Sequence, residues 1–233
     1  CLLVFFYAFA SEGFTARVRI EGITLLDQIT HRATTIGRTG IYAPLTPAGG
    51  LRFGLDAEVT ALVDHTGGGG SARDVEIGNA QIFRTGWVTA RVPAHFLLRK
   101  SETRRERLDV ELAPDGTPTV VNGLGATLRS VTLATKDGRT WKGEHIASGQ
   151  KTRLAPAGKA LRNTIGPHAS IFLSDWTGSV FRAASDKDGY LWPGTYVADL
   201  DSAPFIENAH GGHTDFKSQS IVLGIFAAPT ATP

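Results

Sequence analysis

Short alternating runs of apolar and polar residues dominate the chain. Phe14, Ala16, Val18 and Ile20 alternate with Thr15, Arg17, Arg19 and Glu21, which predicts a strand with one wet face. Gly22 is read as its end, with Ile23–Ile29 a second short strand or a helical turn. Between His31 and Gly54, six glycines and prolines leave no room for an ordinary helix. Further strands are predicted at Glu58–Asp64, Val75–Ile77, Gln81–Phe83 and Trp87–Val92. Gly67–Gly70 is read as a flexible hairpin tip. No Lys or helix pattern follows it, so the phosphate-loop mechanism has no parts here.

The pattern is clearest from Leu108 to Pro156. Leu108, Val110 and Leu112 share one face, Pro114-Asp115-Gly116 turns the chain, and Asn122-Gly123 is read as another turn. Val131 and Leu133 lead to Asp137-Gly138, with Trp141 on the return strand, and Gly149 turns into Thr152 and Leu154. Strands with turn signals at this spacing predict a β-sandwich. The last third, Leu161–Phe226, continues in β, with Ile171, Leu173 and Val180 flanking Trp176 and Gly178. Tyr196, Ala198 and Leu200 share a face, and the apolar run Ile221–Phe226 predicts a strand covered on both faces. One stretch, residues 93–107, lacks glycine and carries good helix formers, which predicts a short helix at a domain junction. Its Arg99, Lys100, Arg104, Arg105 and Arg107 make it a candidate anionic-lipid or partner patch, although Glu102 and Glu106 interrupt it and favour a solvated connector.

The first ten residues, CLLVFFYAFA, break the alternation by being wholly apolar. A bilayer core needs about 20 helical residues. The run therefore reads as the distal half of a transmembrane or signal-anchor helix, as a segment behind a lipid-carrying Cys1, or as a buried first strand. Methionine is absent, even at position 1, which fits a processed chain or a fragment. Cys1 is the single cysteine, so no intrachain disulfide forms. At 233 residues, 42% hydrophobic and 20% charged, the chain is long and apolar enough for one large or two small domains. A net charge of +2 gives no case for nucleic acid.

The layout V-N-G-L…L-R-S-V-T-L…D-G-R…G-E-H-I-A-S-G-Q…L resembles immunoglobulin-like β-sandwich modules of bacterial envelope proteins. Gly86–Arg107 and Leu191–Leu200 resemble extracytoplasmic parts of uncharacterised bacterial membrane-anchored proteins. That resemblance implies a fold and a location and carries no catalytic residues.

Candidate chemistry is sparse. His210 and His213 with Asp215, near Asp199, Asp201 and Glu207, have suitable zinc-ligand chemistry but sit on a glycine-rich loop without a rigid scaffold. There is no nucleophile elbow, and Cys1 lies in an apolar run, a poor setting for a thiolate. Trp87, Trp141, Trp176 and Trp192 suit either a sugar-stacking platform or sandwich cores.

The expectation is an all-β protein of one or two immunoglobulin-like β-sandwich units. An apolar anchor at 1–10 would precede a β-rich domain at 11–105, a sandwich region at 106–226 and a mobile tail at 227–233. No catalytic, cofactor or metal site is assigned. The expected role is a non-catalytic accessory or structural subunit on the periplasmic side of a bacterial cytoplasmic membrane. Its partners would be membrane protein complex subunits and, through residues 1–10, the lipid bilayer. An envelope carbohydrate- or ligand-binding module and a metal-dependent hydrolase are the alternatives.

Overall fold

The computed structural model describes residues 15–62, 73–157, 191–212 and 214–226. The anchor-like run, the Gly67–Gly70 tip, the segment around Trp176 and the tail lie outside them. The described residues form fifteen strands and no helix: β1 (Ala16–Asp27), β2 (Arg32–Tyr42), β3 (Leu51–Phe53), β4 (Ala57–Leu62), β5 (Val75–Ile77), β6 (Gln81–Phe83), β7 (Ala94–Thr103), β8 (Arg107–Leu112), β9 (Pro118–Gly123), β10 (Leu128–Ala134), β11 (Thr140–Ile146), β12 (Lys151–Arg153), β13 (Ala155–Pro156), β14 (Thr195–Leu200) and β15 (Thr214–Ile225). Nine form one sheet in the order β13-β11-β10-β14-β15-β1-β2-β7-β4, and two three-stranded sheets run β12-β9-β8 and β3-β6-β5. The protein is all-β.

The chain divides into two compact units that interleave along the sequence. The first takes its described residues from Cys1–Glu21, Thr35–Ser101 and Ile206–Ser218, the second from Gly22–Thr34, Glu102–Phe205 and Gln219–Pro233. Four strands (β1, β2, β7 and β15) therefore pass from one unit into the other.

In the first unit the alternation of β1 and β2 buries Val18, Ile20 and Ile41. Phe53, Phe83 and Phe96 meet as a ring cluster, with Phe53 and Phe83 edge-on at 5.2 Å between centroids and Phe83 and Phe96 at 6.1 Å. Such tilted pairs add to the gain from burial alone.

In the second unit, both the β8-β9 pair and the long sheet contribute to one core. Leu108 and Val120 face Leu128, Val131, Leu133, Trp141, Tyr196, Ala198, Val222 and Leu26. The turns predicted at Asp115-Gly116 and Asp137-Gly138 form. Gly138 (φ 81°) supplies the left-handed residue that closes the β10-β11 hairpin, and Thr135 N–H donates to Arg139 O at 2.9 Å. On β15, Gly224 lies opposite Tyr196, whose ring occupies the space a Cβ would take. The buried Tyr196 ring therefore requires glycine there.

Asn122 departs from its predicted role. It is no hairpin turn but the buried end of β9, registered opposite Leu108 of β8. Its backbone N–H donates to Gln150 O (3.1 Å) and its carbonyl accepts from Gly149 N–H (2.7 Å). Its side-chain Nδ2 donates to Ala126 O (2.8 Å) and Ile146 O (2.9 Å), while Oδ1 accepts from Leu124 N–H (3.1 Å). The sequence cue was sound in kind, because Asn readily bonds backbone a few residues on. Here that bonding shapes the loop after β9. Across the same rung, the Gln28 amide serves Leu108. With its oxygen turned towards β8, it accepts from Leu108 N–H (2.7 Å) and the Tyr196 hydroxyl (2.8 Å) and donates to Leu108 O (3.3 Å).

Three other expectations are corrected. Residues 93–107 are not a helix: β7 takes Ala94–Thr103 and β8 begins at Arg107. The period-2 burial of Phe96 and Leu98 outweighs the helix propensity of their neighbours, and cross-strand acids meet the cations, Glu58 at 3.5 Å from Arg99 and Asp56 at 3.1 Å from Lys100. Trp87–Val92 is not a strand. Gly86 and Arg91 take positive φ, and Arg91 N–H turns to Ala43 O (2.7 Å). Gly22 does not end the first strand, because it is buried within β1.

Replacing Asn122 with Ala strands one buried donor and two buried acceptors, each costing about 1–3 kcal/mol. Asn122→Ala is expected to lower unfolding stability by about 3 kcal/mol or more, with the denaturant midpoint falling at unchanged slope. Asn122→Asp should do no better, since a carboxylate offers nothing to Ala126 O and Ile146 O. A midpoint within error of the wild type for Asn122→Ala would contradict this role.

Candidate functional site

The histidine–carboxylate group was the first candidate for chemistry. In the first unit, His210 is half-buried on the loop before β15, and its Nδ1 accepts from Gly212 N–H at 3.1 Å. One imidazole nitrogen is thus already engaged. Glu207 accepts from Gly54 N–H at 2.9 Å. Asp215 pairs with Arg19, which donates from Nη2 to Oδ2 and from Nη1 to the Asp215 carbonyl, both at 2.8 Å. His213 lies outside the described residues. In the second unit, Asp199 stands 3.9 Å from Arg129, and the backbone N–H of Asp201 donates to Thr127 O at 3.0 Å. Among the described residues, no three His, Cys, Asp or Glu side chains are placed to hold a metal ion.

These carboxylates serve as acceptors for nearby donors. The Arg19 hydrogen bond holds Asp215 below its ordinary range, and the charges of Arg19, Lys217 and Arg17 act in the same sense. In the β10-β11 turn, the Thr135 hydroxyl and then Arg139 pull Asp137 down to about 2.

The tryptophans do not share a surface within either unit, as far as the described residues go. Trp141 is buried, with Arg139 5.6 Å from its ring. Trp87 is half-buried between Phe83 (4.7 Å) and Arg73 (5.0 Å), and its indole N–H donates to Asp74 O at 2.9 Å. Trp192 is 69% exposed. Trp176 lies outside the described residues. The basic stretch is locally neutralised as well, with Arg104 at 2.7 Å from Glu102 and 3.0 Å from Glu106, and Arg107 at 2.7 Å from Asp109.

The second unit instead offers a surface. Its long sheet buries Leu26, Val131, Leu133, Tyr196, Ala198 and Val222 on the core side. The alternate residues of β1 and β15 include Ile23 and Leu25, and Ile221, Leu223 and Ile225; β14 adds Val197 between Thr195 and Asp199, while β10 presents Ser130 and Thr132. Across the ladder, Val197 pairs with Leu223 on β15 and Thr132 on β10, so these three residues form a row on one face. Val197 and Ile221 are buried, whereas Leu25 is 50% exposed and Ile29, in the turn after β1, is 62% exposed. The apolar run Ile221–Phe226 was the sequence signal for this second face. The contribution of Leu25 was hidden by reading a break at Gly22.

No protein-family model matches the chain, and no curated protein matches its sequence.

The low carboxyl values set an acid limit on stability. An Asp whose folded pKa lies below its unfolded value stabilises the fold fully above the unfolded value and loses that contribution as pH falls through the folded one. Asp137, at 3.8 unfolded and about 2 folded, thus acts between those values, with Asp215 in the same direction. Melting temperature is expected to fall from about pH 4 to pH 2, and Asp137→Asn should flatten part of that limb. An acid limb of unchanged steepness in the variant would contradict the assignment.

Proposed function

We propose that this protein is a non-catalytic structural or accessory subunit that packs against a membrane protein complex. In this reading its body is of immunoglobulin-like β-sandwich type, and the apolar run Cys1–Ala10 anchors it to a bacterial cytoplasmic membrane with the bulk of the chain periplasmic. The observation that carries the reading is the second apolar face of the long sheet, which stays open to solvent at Leu25, with Ile29 exposed in the turn that follows β1. Val197 and Ile221 of that face are buried within the chain, and exposed Leu25 and Ile29 are left for another surface to cover. The core shared by the β8-β9 pair and the long sheet supports the sandwich reading.

Two half-exposed aliphatic side chains give an interface modest affinity by burial, on the order of 1–2 kcal/mol each, and placing a charge there removes it. A photo-crosslinking residue at position 25, in the full chain expressed in a bacterial host, is expected to capture an integral membrane protein of defined mass. Ile29→Glu in the same chain is expected to reduce capture at least tenfold. Recovery of the chain as an uncrosslinked monomer from solubilised membranes would overturn the reading.

A further inference from the structure

In the first unit, neighbouring strands β1 and β15 carry Arg17, Arg19 and Lys217 near the carboxylate of Asp215. Arg19 is committed to Asp215 by two hydrogen bonds. Arg17 and Lys217 are exposed and, among the described residues, have no ion-pair partner, yet both act electrostatically on Asp215. Three cations therefore act on the Asp215 carboxylate, and Glu21 follows Arg19 on the same face of β1. The cluster also sits close along the chain to the apolar run, since Arg17 follows Ala10 by seven residues. Even fully extended, that link spans at most about 25 Å.

We propose that Arg17, Arg19 and Lys217 form a docking surface for anionic phospholipid headgroups at the membrane that the apolar run enters. Charge complementarity supplies the attraction, and the short link to Ala10 keeps these cations near that surface. A basic side chain near an anionic bilayer gains on the order of 1 kcal/mol, and the gain is screened by salt. Asp215 has a positive role in this arrangement: it fixes Arg19 and so holds the cluster together. The inference rests on the anchor reading of Cys1–Ala10, and the two are separable by experiment.

The test uses the whole chain and two kinds of vesicle, phosphatidylcholine alone and phosphatidylcholine with phosphatidylglycerol in equal parts. Co-sedimentation at low and high salt is compared for the wild type and for the double variant Arg17→Gln, Lys217→Gln. Both positions are exposed, and an unchanged melting temperature verifies that the variant is folded. Tighter binding to the anionic vesicles is expected, weakened by salt and by about fivefold for each charge removed. Equal binding to both vesicles leaves the anchor standing and overturns the lipid surface. An anionic preference that survives in the double variant overturns it too. Binding to neither vesicle overturns the anchor reading and the inference together.

Discussion

A single rung, Leu108 opposite Asn122, carries much of the order in the second unit. Neither residue spends its backbone groups on the other. Those of Leu108 turn to the Gln28 amide, and those of Asn122 turn to Gly149 and Gln150. Such outward-facing pairs recur along any antiparallel ladder, and each needs a partner on its far side. Here a side chain supplies one partner and a turn supplies the other. The Asn122 amide then closes the loop to Ala126 and the end of β11. A fully buried amide is costly unless every donor and acceptor is met, and meeting them singles out one arrangement of three loops. The Tyr196 ring seated over Gly224 adds a steric requirement on the same core.

Much of this was legible in the sequence. β5 and β6 begin and end where alternation placed them, and the Asp115-Gly116 and Asp137-Gly138 turns carry the chemistry those dipeptides predict. The failures share one physical cause, the override of a local signal by a distant partner. Helix formers in residues 93–107 gave way to β4, which supplies the ladder and Glu58, with Asp56 just before it. Gly22 reads as a break only when its burial within β1 is unknown. Asn122 was flagged correctly as a residue that bonds backbone, but which backbone is a matter of tertiary structure.

The candidate site was less legible for a related reason. Histidines and carboxylates invite a catalytic or metal reading, yet Asp215, Asp137 and Glu207 each answer a nearby donor. Their chemistry is spent on holding loops and strands in place. The surfaces that stand out are of another kind, an apolar face on the second unit's sheet and a cationic cluster on the first. Neither is a compositional motif. Both arise because strand pairing gathers side chains that lie far apart in the chain, such as Val197 with Leu223, or Arg19 with Asp215.

The central claim is that the buried amide makes the loops around Asn122 part of the core of the second unit. Native-state hydrogen exchange tests it most directly. The Leu124 and Gly149 amides, which donate to Asn122, are predicted to exchange only through global opening, as slowly as the amides of Leu133 and Ala198 in the centre of the sheet. Exchange of Leu124 and Gly149 as fast as that of an exposed turn amide such as Lys136 would contradict the account.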